Sequence, residues 1–448
     1  MSGDVSEYRR NSRAHWWQTD VTSAQRASRA ASSSGIYVVD PLQASSFQLS
    51  RIMAPENLRR VWSDRRTRGG QSPGIDGMGM NLAAGEMMHI FRHTSAAIQD
   101  HRYRPAATRI HRIPKPNGRY RTIEIPTVID RTVGAALTMA LRPVLRSQLP
   151  MFYGYGASCH AILCRIKYLA ENRGWYWLAV DDIRNCFPSV RRTLAIQSFY
   201  GFTSDWDVPA PQLADQGIPW LVERLVHGTD ETENGIGLTQ GGTTSPLLAA
   251  MVLTNILTPN TDERDQEEVI LHRYADDCHI QGPDRDRAEE GMRRTQDRLL
   301  AHDLELKDAG RRVIDIRQTD LKILGVNASW RRGQLTYTIP EDRWRELSIT
   351  LALGNCGRGT NAAGTVCSFI YAYRTTLAYN SNRTLDRMMR LIRKSGNLTI
   401  LRQQVENWIR DAQRERTNPP NTAEGEQNPE VRPTDTSWDE ELTGTAPF

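Results

Sequence analysis

Two aspartates stand side by side in the stretch VILHRYADDCHIQG, residues 269–282, between two runs of apolar and β-forming residues. No other pattern limits the fold of this chain as tightly. The flanks read as two short strands and the centre as the tip of a hairpin. Neighbouring residues on a strand point to opposite sides, so adjacent carboxylates reach one place only when they lie at a turn. A second acidic pair closes another apolar run: WYWLAVDD reads as a buried strand that emerges at Asp181 and Asp182. Carboxylates delivered to the open ends of neighbouring strands repel one another unless cations sit among them. Mg²⁺ suits such a place, because it takes a few carboxylate oxygens together with water and substrate phosphates, and a pair of ions can serve an in-line phosphoryl displacement. On its own an Asp-Asp pair is usually a solvated turn, so the flanking residues carry the argument.

The rest of the chain fits a large soluble protein of two or three domains. Its 448 residues are 39% hydrophobic and 24% charged, and no apolar run reaches the length of a membrane helix. The first residues, MSGDVSEYRRNSRAHWW, lack the apolar core of a signal peptide, and the expected location is cytoplasmic. Six scattered cysteines with no CxxC pair suggest neither a zinc site nor a disulfide framework. The net charge is +5, yet residues 417–448 hold seven acids against Arg432 alone, so the remainder carries +11. Only 5 of the 57 basic residues are lysine, at 115, 167, 307, 322 and 394. Arginine matches phosphate in a bidentate way, although codon bias explains an arginine preference equally well. A basic body favours a polyanionic partner.

Along the chain, residues 1–44 read as a polar N-terminal extension. From Ala54, APENLRRVWSDRRTRG has helical spacing, and ATRIHRIPKPNGRYRTIEIP alternates about a Pro-Asn-Gly tip as a hairpin does. A helix is expected from Val128 to Ser147, and another after the glycine-rich loop of GLTQGGTTSPLLAAMVLTNIL. The segment from Pro188 to Gly235 is polar and mixed. A helix over DRAEEGMRRTQDRLLAHDL, short strands in DLKILGVNA and GQLTYTIP, and a mainly helical stretch from Asp342 to Gln413 complete the reading. Past Thr417 the composition is that of a disordered acidic tail.

Tyr274-Ala275-Asp276-Asp277, preceded by Asp182-Ile183-Arg184-Asn185-Cys186-Phe187, closely resembles motifs C and A of reverse transcriptases, and QGGTTSP at 240–246 resembles their motif B. SPGIDGM at 72–78, IPKPNGRYRTIEIPTVIDR at 113–131 and LKILGV at 321–326 are similar to the fingers and primer-grip blocks of bacterial enzymes related to group II introns. The blocks run in order from about residue 50 to 330. The resemblance implies an α+β right-hand polymerase: fingers and palm over 45–335, the palm an antiparallel sheet flanked by helices, a helical thumb over 336–415, and a tail over 416–448.

It also implies site residues. Asp182, Asp276 and Asp277 would be catalytic and hold two Mg²⁺ ions, with Mn²⁺ as an alternative and the carbonyl of Ile183 lending an oxygen. Asp181 precedes the matched position and reads better as a solvated strand end. Lys115 and Arg121 would hold the incoming triphosphate. Phe187 would select dNTPs by excluding a ribose 2′-hydroxyl, core packing being its other reading. Gln240 and Gly241 would lie beneath the nucleotide, while Ser245 and Pro246 shape a helix start. Tyr274 would support the primer, and so would Leu324 and Gly325, whose plain reading is a β-turn. The arginines of 342–413 suit a surface that tracks a nucleic-acid backbone or, equally, a solvated helix face.

The departures matter too. The family's LELxxEKT-like run is here LELKDAGRRV, with Ala309 and Gly310 where Glu and Lys are expected, which leaves Lys307, Arg311 or Arg312 to supply the cation. Thr239 replaces the proline usual before Gln240, and FYGYGASCH lacks a customary arginine. Nothing after the thumb resembles a maturase's DNA-binding or nuclease region, nor are retron or diversity-generating signatures present. The expected class is a stand-alone RNA-directed DNA polymerase of the defence-associated group, with a structured non-coding RNA, a DNA product and dNTPs as partners, no membrane, and oligomerisation left open. A group II intron maturase acting as an RNA-binding splicing factor is the alternative, as is template-independent or protein-primed DNA synthesis.

Overall fold

The computed structural model describes residue 37 and residues 48–68, 72–114, 118, 120–148, 159–204, 217–229, 235–257, 269–308, 312–354, 362–397 and 399–417. Lys115, Arg311, nearly all of the N-terminal extension and the tail past Thr417 lie outside them. In chain order the elements begin with helices α1 (Leu49–Ile52), α2 (Pro55–Arg68) and α3 (Ala84–Gln99), then strands β1 (Arg109–Pro114) and β2 (Tyr120–Ile125). Helices α4 (Val128–Gln148) and α5 (Cys159–Arg173) lead to β3 (Trp177–Asp182). The described helices α6 (Cys186–Ser189), α7 (Arg192–Ser204), α8 (Ile218–His227) and α9 (Ser245–Leu257) follow. Then come β4 (Ile270–Tyr274), β5 (Asp277–Gly282), α10 (Arg285–Leu300), β6 (Val313–Asp315), β7 (Leu321–Ile323), β8 (Val326–Arg331) and β9 (Gln334–Thr338). Helices α11 (Glu341–Gly354), α12 (Ala362–Ala372), α13 (Leu377–Lys394) and α14 (Arg402–Thr417) end the described chain. The architecture is α+β, as expected. Among the described residues no helix is long and apolar enough to cross a membrane.

The chain forms two compact units, each assembled from separated segments. The first comprises residues 1–156, 183–258 and 298–305. Here β1 and β2 make an antiparallel hairpin, with Ile113 opposite Arg121. Helix α9 is apolar on every side, and Leu247, Leu248, Met251, Val252 and Leu253 are all buried. A helix with no polar face must lie inside its unit, and α9 packs against α7. The start of α4 is locked by Asp130, whose carboxylate accepts hydrogen bonds from Thr127 Oγ1 (2.6 Å), the Tyr103 hydroxyl (2.5 Å) and the amide of Ala106 (3.2 Å). Arg131 beside it donates to the carbonyl of Ser72 at 2.7 Å, so the blocks SPGID and IPTVIDR are held together. Among its described residues, the polar stretch after Pro188 forms helices α7 and α8. In α8 the short apolar stripe of Ile218, Leu221, Val222 and Val226 is buried between flanking glycines, and that packing outweighs its length.

The second unit comprises residues 157–182, 259–297 and 306–448. Its main sheet has the order β4-β5-β3-β6, with every neighbouring pair antiparallel. Strand β3 is interior because its run Leu178-Ala179 is buried, which suits a strand hydrogen-bonded on both edges. A second sheet, β7-β8-β9, is tied to α5 by Tyr337, whose hydroxyl donates to the carbonyl of Leu163 at 2.8 Å. The C-terminal helices enclose a core built on Trp344, Leu351, Val366, Met388, Ile392 and Val405.

Candidate active site

In the second unit, β3 and the β4–β5 hairpin deliver their acids to one end of the sheet. Asp182 lies directly opposite Asp277, and Asp181 opposite Cys278. Directly opposed residues of an antiparallel pair share a face, so Asp182 and Asp277 present their carboxylates on the same side. Tyr274 pairs with Asp277 across the hairpin, which leaves Ala275 and Asp276 as its two-residue tip. Ala275 has φ +50°, a left-handed backbone that costs an L-residue roughly 1 kcal/mol or more. Arg273 supports the turn: its side chain is fully buried, and its guanidinium donates to the carbonyl of Ala275 at 3.0 Å.

Burial first, then the charges of Asp276 and Asp182, push Asp277 up from 3.8 to about 7. Lys307 works in the other direction. Its amide donates to the carbonyl of Asp182 at 2.8 Å and its Nζ lies 3.2 Å from Asp182 Oδ2, an ion pair that raises the lysine above its ordinary range. The segment bearing Lys307 is held from α10, since the amide of Leu306 donates to Gln296 Oε1 at 2.7 Å. Asp181 is buried and turned to other work: its Oδ1 accepts the amides of Asp182 (2.8 Å) and Asp308 (3.2 Å). Asp181 ends the strand but is not the solvated residue expected there: its buried carboxylate clamps β3 to the Lys307 segment.

Three carboxylates with one lysine among them leave negative charge to be balanced, and an all-oxygen donor set suits a hard divalent ion. Among the described residues no three His, Cys, Asp or Glu side chains already converge on a common metal position. Behind the hairpin the sheet carries a neutral layer. His272 and His279 oppose each other across β4 and β5, and burial holds His272 well below its usual range and His279 at about 4. His272 Nε2 lies 3.0 Å from Gln281 Oε1, and Gln281 Nε2 donates to the carbonyls of Ile166 (3.1 Å) and Trp175 (2.8 Å). Neutral rings there add no charge against the acids.

Also in this unit, Leu324 and Gly325 form the turn between β7 and β8, with φ +46° and +78°. Positive φ at both central residues is the signature of a hairpin turn, so the plain turn reading holds geometrically.

The first unit gathers a different set. The carbonyl of Gln240 accepts the amide of Glu124 at 2.8 Å. Gly241, with φ +126°, lies so close to β2 that a Cβ would come within 2.3 Å of the Glu124 carbonyl oxygen. Gln240 and Gly241 are thereby docked on the strand that carries Arg121, which is exposed. Phe187 sits half-buried on α6, and its carbonyl accepts the amide of Leu238 at 2.9 Å. Ile183 is buried. Ser245 opens α9, as its sequence context suggested. The roles of Arg273, Gln281 and Gln296 were not visible in the sequence. A buried arginine inside a β-run was the one available signal, since such a side chain needs carbonyl partners.

Residues 113–328, a little under half of the chain, match the family described as reverse transcriptase (RNA-dependent DNA polymerase). Over 201 residues the chain is 26% identical to Protein YkfC of Escherichia coli (strain K12), a stretch covering 42% of this chain and 49% of that protein. The chain thus spans about half the length of this curated relative. Among solved structures, apo telomerase from Candida tropicalis aligns with a TM-score of 0.42 at 12% identity, over 72% of this chain and 65% of that one. The same telomerase truncated from its C-terminal domain aligns at 0.36 and 11%, over 56% and 60%.

Proposed function

We propose that this chain, whose residues 113–328 carry a reverse transcriptase domain, is an RNA-directed DNA polymerase that adds dNTPs to a primer at Asp182, Asp276 and Asp277. The observation that carries the reading is the opposed pair Asp182–Asp277 beside the Asp276 turn, with Asp277 pushed to about 7 by burial and its acidic neighbours. Such a cluster is unfavourable by itself and is resolved by cations. Two Mg²⁺ ions, or Mn²⁺, held by the three carboxylates and the carbonyl of Ile183, would supply the charge that activates the attacking hydroxyl and neutralises the leaving pyrophosphate.

The chain's own groups do the rest. Lys307 takes the place of the lysine missing at Gly310 and sets a positive charge against Asp182. Arg121 and Lys115 hold the triphosphate, Phe187 rejects the ribose 2′-hydroxyl, and Gln240 with Gly241 supports the nucleotide. Tyr274, Leu324 and Gly325 line the primer. Fingers and palm are assigned to 45–335 and a thumb to 336–415.

In the finer reading the enzyme is of the stand-alone, group II-like type and copies a dedicated structured RNA in antiphage defence; the shifted lysine and Thr239 support a branch apart from the intron proteins. Primer extension on an RNA template tests the chemistry: replacing Asp276 and Asp277 together with alanine is expected to abolish dNTP incorporation. Undiminished incorporation by that variant overturns the proposal. Sequencing the nucleic acid that copurifies with the protein identifies the RNA, and phage plating with the same variant separates defence from other roles.

A further inference from the structure

Helix α3 carries two histidines one turn apart, and nothing in the polymerase reading uses them. Its buried face is Met87, Phe91, Thr94, Ser95 and Ile98, so His89 and His93 fall on the opposite, exposed side. Residues four apart on a helix project side by side. The two rings meet nearly edge to face, at an interplanar angle of 76° with centroids 4.5 Å apart, and their Nε2 atoms are 3.2 Å from each other.

We propose that His89 and His93 form a binding site for a borderline divalent transition ion, Cu²⁺, Ni²⁺ or Zn²⁺, through their two Nε2 atoms. Metal–imidazole bonds run ~2.0–2.1 Å, so an Nε2 separation of 3.2 Å subtends about 100° at a shared ion, between a square-planar cis angle and a tetrahedral one. A hydrogen bond between the rings occupies the same geometry; when both imidazoles are neutral, the donor ring shifts its proton from Nε2 to Nδ1 through solvent, and both Nε2 lone pairs then face the ion. The helix is anchored by its buried face, so little ordering remains to be done on binding. Glu86, one turn earlier, is engaged at the helix start, where its Oε2 accepts the amide of Ala83 at 3.1 Å. Imidazole pairs prefer these ions, Cu²⁺ most strongly, whereas carboxylates and water suit Mg²⁺, so this site and the aspartate cluster differ in the metal they select.

The test is a Cu²⁺ titration of the tag-free full chain followed by electron paramagnetic resonance. The expected result is a species with two nitrogen ligands that is absent from His89→Ala and from His93→Ala, with affinity falling roughly 10²-fold when one tethered ligand is lost. Both side chains are exposed, so circular dichroism of the variants should match the parent; His93→Gln provides a second check that keeps helix propensity. The Asp276→Ala/Asp277→Ala variant should retain the signal, and the histidine variants should retain primer extension, so failure here and failure of the polymerase reading are told apart. A parent spectrum without a two-nitrogen species, or one that survives either histidine substitution, overturns the proposal.

Discussion

At the scale of single residues the acid cluster makes a pH prediction. Asp277 titrates near 7 in the folded protein against about 3.8 when unfolded, so between those values the folded state keeps a proton that the unfolded chain has released. Asp277's contribution to the stability of the metal-free protein therefore falls as pH rises from about 4 to about 7 and levels off above that, while the buried His272 and His279, held below their ordinary range, contribute in the opposite sense up to about 6.5. At ~1.4 kcal/mol per pKa unit, Asp277 accounts for on the order of 4 kcal/mol. Asp277→Asn should remove that falling contribution, leaving the rise due to the buried histidines, and be more stable than the parent at pH 8 without metal. Adding Mg²⁺ at pH 8 should stabilise the parent and leave the variant nearly unmoved, which calorimetry reads directly. Gly241 supports a second prediction. An alanine there must hold φ +126° and place its Cβ 2.3 Å from the Glu124 carbonyl oxygen, so Gly241→Ala should lower stability by about 2–3 kcal/mol, as measured by denaturant unfolding, and reduce nucleotide addition.

At the scale of elements, helix α10 rests on the main sheet through Gly291, where a Cβ would lie 2.8 Å from Ile280 Cγ2 and 2.8 Å from Val269 Cγ2. Gly291→Ala pushes helix and sheet apart and should cost about 1–3 kcal/mol, seen as a lower melting temperature. How much of the fold could be read beforehand depended on whether an element's signal was local. The β4–β5 hairpin, β3, α9 and the β1–β2 hairpin were legible because their patterns are complete within a few residues. Helices α7 and α8 were not, since their apolar stripes are short and acquire meaning only when buried. The site divides the same way. The motifs identified Asp182, Asp276 and Asp277, yet nothing local says that β3 lies between β5 and β6, and the register that opposes Asp182 to Asp277 follows from that placement. Lys307 was one of three candidates for the missing cation, and its backbone bond and ion pair with Asp182 are contacts no local pattern announces.

At the scale of the whole molecule, charge is the feature that reaches farthest. On α13, Arg383, Arg390, Arg393 and Lys394 are exposed along one helix, whereas Arg387 is stacked over Trp344 at 4.6 Å and paired with Glu341. If the exposed four meet a nucleic-acid backbone, changing them together to glutamine should shallow the slope of log affinity against log salt by roughly 3 to 4, since each phosphate contact releases ~0.7–0.9 counterions. An unchanged slope across a KCl series assigns them to solvation. The interleaving of the two units carries a different consequence, one for synthesis on the ribosome. Strand β3 is complete at Asp182, but its neighbour β5 begins only at Asp277 and its other neighbour β6 at Val313. At translation rates of about 5–20 residues per second, the interior strand of the main sheet waits roughly 5–20 s with both edges open. A nascent chain in that state exposes an unpaired apolar strand, so its yield should depend on chaperone capacity more than the stability of the finished fold would suggest.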